Sequence, residues 1–279
     1  MTILKTEKAD WEGKRGDKWN DSLSQMEAML RPINKPLIEL LNLKHSCSVA
    51  DIGCGGGQTA LEVYSHAPEG TKVYGFDISS KLIESANSNL AHKSEHLVYT
   101  VCDVAKSMPK PNAFDKLYSR FGVMFFAQPE QAFLNLSEWL VPGGEVVFAV
   151  WDSPQRNPWI RIVKEVVGQL VNIPTMDPDL PGPFRYSNKE VFFKILSKSG
   201  FRKLQVKDWT ESIQIGGGLN AKNASEFAIA SFGIAEHLFE SGNEAVNEGK
   251  LRLEKEFQKY EKAGKVTLKA SVLFFTGIV

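Results

Sequence analysis

Asp51-Ile52-Gly53-Cys54-Gly55-Gly56-Gly57 decides the reading of this chain. It follows a short apolar run, Ser48–Ile52, and precedes a helically spaced segment, Gln58–His66. An acid followed by alternating glycines at a strand-to-helix junction lets the backbone turn sharply and lets a ligand approach without Cβ interference. The helix that follows directs unpaired N–H groups, its positive end, toward that ligand. The dinucleotide spacing G-x-G-x-x-G fails from Gly53, because Gln58 stands at the sixth position. From Gly55 the third glycine falls at Ala60, and the loop then starts too far beyond the strand. No G-x-x-x-x-G-K-[ST] loop is present either.

Working outward, four more strand-length apolar runs follow: Lys72–Asp77, His96–Val101, Phe114–Ser119 and Glu145–Trp151. Continuous runs of this kind suit strands buried on both faces. Helical spacing separates them at Lys81–His92 and Pro129–Leu140, and Pro142-Gly143-Gly144 reads as a stop before the fifth strand. The alternation predicts a parallel sheet with helices on both faces.

The second half changes character. Asn157–Asn172 reads as a helix, followed by a proline-rich loop from Ile173 to Tyr186. A helix over Asn188–Ser199 is capped by Ser187 or Asn188 and stopped at Gly200. Arg202–Glu211 alternates as a strand, Gly216-Gly217-Gly218 breaks the chain, and 224–264 reads as two helices split near Ser241-Gly242-Asn243. Val266–Thr276 is a last strand. Two insertions, roughly 152–186 and 212–264, then form a mainly helical cap.

Composition excludes several classes. Lys plus Arg and Asp plus Glu each total 33, so no basic excess points to nucleic acid. Cys47, Cys54 and Cys102 make neither a disulfide framework nor a CxxC metal pair, so no metal is expected. No signal-peptide core and no 20-residue apolar span is found, so a cytoplasmic protein without a membrane span is expected.

The site residues lie at successive strand ends. Asp77 falls 20 residues after Gly57, where an acid accepts both hydroxyls of a ribose. Asp103 follows the third strand and would accept from an adenine amino group, with Ile78 and Val104 sandwiching the ring. Ser119-Arg120-Phe121 follows the fourth strand. Each acid alone could be a helix N-cap, and Cys54 reads as a small filler in the loop.

These residues resemble the class I S-adenosylmethionine-dependent methyltransferases, and in particular the branch similar to the ubiquinone and menaquinone C-methyltransferases. The resemblance rests on Val49–Gly57, Asp77, Asp103, Ser119–Phe126 and Leu140–Gly144, with Trp11-Glu12-Gly13, Trp19-Asn20 and Leu30-Arg31-Pro32 ahead of them. Ala50 departs from it, since a larger apolar residue is usual there. The resemblance implies a Rossmann-like, seven-stranded, mostly parallel sheet. It divides the chain into an N-terminal helical lid (1–46), a cofactor-binding core (47–151), a cap insertion (152–186), a core helix and strand (187–211), a helical cap insertion (212–264) and a final core strand (265–279). It further implies S-adenosylmethionine bound by Trp19, Asp51, Gly53, Cys54, Gly55, Gly57, Asp77, Ile78, Asp103, Val104, Arg120 and Phe121, with S-adenosylhomocysteine as product.

The expected reaction is SN2 transfer of the sulfonium methyl to a small acceptor. Phe121, Phe125, Trp151, Trp159, Phe184, Tyr186 and Phe232 suit an aromatic or hydrophobic one, or simply pack core and cap. Trp19 packs near the methionine moiety or only anchors its helix. Arg120 orients an anion or makes a structural ion pair. Of His45, His66, His92, His96 and His237, only His237 lies in the cap, and it is the candidate base or a surface histidine. A homodimer is possible on this reading. The competing readings are a non-catalytic cofactor-binding regulator or scaffold and a nicotinamide dehydrogenase.

Overall fold

The computed structural model describes residues 11–90, 94–107, 111–175, 177 and 179–279. His92 and Pro178 lie outside the described residues. Five strands run parallel: β1 (Ser48–Ile52), β2 (Lys72–Asp77), β3 (Leu97–Val101), β4 (Phe114–Arg120) and β5 (Leu140–Trp151). β6 (Arg202–Gln214) and β8 (Lys265–Ile278) complete one sheet in the order β3-β2-β1-β4-β5-β8-β6, and β8 is antiparallel to both neighbours. A two-residue strand, β7 (Glu261–Lys262), hairpins onto the start of β8. This is a Rossmann-like α/β fold. Apolar runs dominate because residues such as Val49, Ala50, Ile52, Phe148, Ala149 and Val150 are buried.

Helices α4 (Gln58–His66), α5 (Ser80–Ser88) and α6 (Pro129–Trp139) connect the parallel strands. Ser79 caps α5 by accepting from Leu82 N–H, and Asn188 caps α8 (Lys189–Lys198) by accepting from Glu190 and Val191 N–H. α7 (Pro158–Gly168) packs against a helical group formed by α9 (Ala221–Ser231), α10 (Glu236–Glu240) and α11 (Asn243–Gln258).

The structure corrects two expectations. Pro142-Gly143-Gly144 does not stop the chain before β5 but bulges within it: Leu140 pairs with Phe114, and pairing resumes at Glu145 with Lys116. The backbone of Val279 makes this possible, accepting from Gly143 N–H and donating to Gly144 C=O. The segment expected to hold two helices holds three, because Phe232 turns into extended backbone after α9. That turn places its ring against Phe227 and Trp159.

The N-terminal segment forms α1 (Lys14–Asp21), α2 (Leu23–Leu30) and α3 (Asn34–Leu41). Met26, Met29, Leu30, Ile33, Leu37 and Leu41 recur at helical spacing and are all buried. Each such side chain stabilises by roughly 1.5–3 kcal/mol, so α2 and α3 are fixed by apolar contact. α1 buries only Gly16. It is held by polar contacts: Asp17 to Lys81 and Asn20 to Ser85 on α5, Lys18 to Glu236 on α10. Exposed ion pairs contribute about 0–1 kcal/mol each, so α1 is the weakly held element of the three.

Candidate active site

At the tip of β1 the chain uses the left-handed region at Gly53 (φ 70°) and Gly57 (φ 80°). A Cβ on Gly53 would lie 2.9 Å from Gly122 Cα, and one on Gly57 would lie 2.6 Å from the Tyr99 ring. The two glycines therefore permit a close approach that no side chain could share. Ser119 locks the junction by donating to Ile52 C=O at 2.6 Å. α4 then starts at Gly57 with no side-chain cap.

Asp77, at the tip of β2, accepts from Gly55 N–H and Ser79 N–H, each at 2.9 Å. The acid at the tip of β2 and the glycine loop are thus in direct contact. Burial raises the Asp77 pKa, opposed by the backbone N–H groups of Ser79, Gly55 and Ile78. Val104 is buried, while Asp103 accepts from Ala105 N–H and pairs with Lys106.

Asp51 is 1% exposed. Strand register puts it in a row with Gly75 and Tyr99 on one side and Tyr118 on the other. Laterally paired residues share a face of the sheet, so the missing side chain at Gly75 makes room for the Tyr99 ring, whose hydroxyl donates to Gly57 C=O at 2.8 Å. Among the described residues Asp51 Oδ2 has no hydrogen-bond partner, and the Tyr118 hydroxyl lies beside the carboxylate without completing a hydrogen bond to it. Burial pushes the Asp51 pKa up to about 7, against the Tyr118 hydroxyl and then the Arg120 charge, with Glu27 and Asp77 adding to the rise.

Arg120 donates to both carboxylate oxygens of Glu27, at 2.7 and 2.6 Å, and to Asn34 Oδ1 at 2.9 Å. Its side chain is 7% exposed and that of Glu27 11%. In this structure Arg120 thus makes a structural ion pair with α2 and a hydrogen bond to α3. Phe121 adopts φ 69°, a costly conformation for a bulky residue. Its ring stacks on Trp151 at 4.2 Å, Trp151 meets Trp159 at 4.9 Å, and Trp159 meets Phe232 at 5.1 Å. An aromatic wall therefore runs from the tips of β4 and β5 to the helical insertions.

Trp19 of α1 lies over the loop, with its Nε1 3.8 Å from where a Gly55 Cβ would stand, and Leu23 covers Gly56. His237 sits on α10, half-buried, with Glu240 3.4 Å from Nδ1 and Ser241 donating to its carbonyl. It is not among the residues gathered at the loop. Two open grooves lie elsewhere, one of about 480 Å³ lined by Gln128, Gln131, Asp179 and Arg185, the other of about 430 Å³ beside Pro36, Lys207 and Trp209. Tyr99, Tyr118, Glu27 and Asn34 escaped the sequence reading. For Tyr99 a signal was present in Gly75, a glycine inside an otherwise apolar strand.

Comparison with known proteins adds the following. Residues 49–144 match the family described as "Methyltransferase domain". The phosphoethanolamine N-methyltransferase of Triticum aestivum is 24% identical over 210 residues, covering 73% of this chain and 38% of that protein. The trans-aconitate 2-methyltransferase of Variovorax paradoxus is 26% identical over 153 residues, covering 54% of this chain and 56% of that protein. Among solved structures, phosphoethanolamine N-methyltransferase 2 of Haemonchus contortus, in complex with S-adenosyl-L-methionine, superposes with a TM-score of 0.61 at 17% identity. That match covers 99% of this chain and 60% of the other, and it is a likeness of fold. This chain thus spans well under half the length of the Triticum relative.

Proposed function

We propose that this chain is an S-adenosylmethionine-dependent methyltransferase that acts on a small molecule. The observation that carries the reading is the contact between Asp77 and the glycine loop, which brings two strand-end motifs into one site. The residues fit the cofactor on their own chemistry. Gly55 leaves open space beneath Trp19, where a Cβ would stand 3.8 Å from the indole nitrogen, α4 opens with no side-chain cap, and Asp51 offers a buried carboxylate oxygen with no hydrogen-bond partner among the described residues.

In this reading Asp77 holds the ribose, Asp103 the adenine amino group, and Ile78 and Val104 the ring faces. Gly53, Cys54, Gly55 and Gly57 line the path of the methionine tail, with Trp19 above it. When bound, the cofactor supplies an electrophilic methyl group on a sulfonium. The protein then contributes mainly alignment and exclusion of water; alignment alone is worth roughly 7–11 kcal/mol in favourable cases. Trp19 and Leu23 shield the loop from solvent. His237 is the candidate base for an acceptor that must lose a proton, a role that requires it to reach the loop from its place beside Glu240 on α10.

The relatives reported above are named for phosphoethanolamine and trans-aconitate, two different small molecules. For this chain the wall of Phe121, Trp151, Trp159 and Phe232 favours an aromatic or hydrophobic acceptor. The test is calorimetric titration with S-adenosylmethionine and NAD, followed by methyl-labelled turnover against fractionated metabolites. Binding of the first ligand with labelled product in aromatic fractions is expected. Binding of NAD instead overturns the cofactor assignment. Binding without turnover in any fraction makes the chain a cofactor-binding regulator.

A further inference from the structure

The polar groups beneath the glycine loop are unbalanced in charge. Asp51 and Asp77 are buried carboxylates and the Glu27 side chain is 11% exposed, and among the described residues Arg120 is the cation bonded within this group. Arg120 spends its guanidinium on Glu27 and Asn34, and Asn34 in turn donates to Glu62 at 2.8 Å. Asp77 is satisfied by backbone N–H groups. Of the three carboxylates, Asp51 is the one that keeps a buried oxygen with no hydrogen-bond partner among the described residues. An ionised carboxylate so placed is costly unless a positive charge arrives to meet it.

Resting on the function proposed above, we propose that Asp51 is the residue by which this site tells the charged cofactor from its neutral product, ionising as the cofactor binds and taking a proton when the positive charge is gone. The charge balance is simple. On transfer the methyl carbon–sulfur bond breaks, its electron pair stays on sulfur, and the methyl bonds to the acceptor. The sulfonium becomes a neutral thioether and its positive charge passes with the methyl to the acceptor, so once the methylated product, with any proton it sheds, has left, the pocket holds one positive charge fewer. Asp51 restores the balance by accepting one proton from solvent. Release of the product then leaves no unpaired buried anion behind.

The groups facing Asp51 support this from every side. Tyr118 and Arg120 come from β4, Glu27 from α2, Asp77 from β2, Cys54 from the loop and Tyr99 from β3. The phenols and the thiol stay neutral, since burial raises all three pKa values. Burial also holds the Asp51 proton to about pH 7, which places its titration where a cofactor charge can tip it.

The test compares dissociation constants for S-adenosylmethionine and S-adenosylhomocysteine between pH 6 and pH 8. Both ligands carry the same amino and carboxylate groups, so their ratio isolates the sulfonium. The preference for the charged ligand should rise about tenfold across that interval and level off above it. Titrations at pH 6.5 in buffers of different ionisation enthalpy should show release of roughly half a proton or more with S-adenosylmethionine, and close to none with the product. Asp51→Asn should make the ratio independent of pH. If that variant does not fold, sinefungin, which carries an amine where the cofactor has its sulfonium, must follow the cofactor's pH dependence in the native chain. A native ratio constant within twofold overturns the proposal, as does a pH dependence that survives Asp51→Asn, which would move the role to Asp77. Failure to bind either ligand at any pH overturns the proposed function, and this inference with it.

Discussion

The loop side of the site and the aromatic side meet at the same strand tips but are built in opposite ways. Around Gly53, Gly57, Gly75 and Gly122, space is kept by leaving out Cβ atoms, and close backbone and side-chain neighbours set each gap. Around Phe121, Trp151, Trp159 and Phe232, space is filled by rings in stacked or edge contact. A gap set by backbone geometry tolerates almost no substitution. A packed aromatic wall can be repacked at modest cost. The family match at 49–144 covers the first construction and stops short of Trp151. The difference teaches that the two sides of these strand tips tolerate substitution differently, one through backbone gaps and the other through ring packing.

That contrast can be broken at several points. The largest effect is expected at Arg120→Ala, which strands Glu27 as a buried unpaired charge and should cost about 3–5 kcal/mol in chemical denaturation. A loss under 1 kcal/mol would show that α2 can swing the carboxylate into water. Gly57→Ala meets both a left-handed backbone and the Tyr99 ring, and should cost roughly 2–4 kcal/mol. A folded Gly57→Ala chain with native cofactor affinity would break the claim that missing Cβ atoms define the loop side. Asp51 tests the same side through pH. Its folded pKa is raised, so the ligand-free protein holds that proton more tightly than the unfolded chain does. This contribution to stability is full below about pH 4 and is lost as pH rises through about 7. Asp51→Asn should flatten that part of the profile in urea melts. On the aromatic side, Phe232→Leu should cost under about 1.5 kcal/mol. It should leave cofactor affinity within twofold while changing the order of preferred acceptors. An unchanged acceptor order would remove Phe232 from the acceptor wall.

The loop side was the readable one for the same reason. Glycine spacing and strand-end acids are local signals, and parallel strands buried on both faces announce themselves as apolar runs. The partners of Arg120 were not readable: Glu27 lies 93 residues away and Asn34 lies 86 away, with nothing local to connect them. Nor was the bulge at Val141–Gly144, because Val279 provides its hydrogen bonds. The break at Phe232 was hidden because the apolar spacing continues through it, and only the ring contacts with Trp159 and Phe227 explain the turn.

α1 sets the terms of traffic through the site. Its Trp19 roofs the glycine loop, while its polar side chains reach α5 through Asp17 and Asn20 and α10 through Lys18. Whatever displacement uncovers the loop must undo contacts with both the parallel-strand half and the helical insertions. On the function proposed above, departure of a spent cofactor and loosening of the helical insertions would therefore be one event in time, not two. Because the fastening is largely ionic and exposed, that event should quicken as added salt screens it, even where equilibrium affinities barely move.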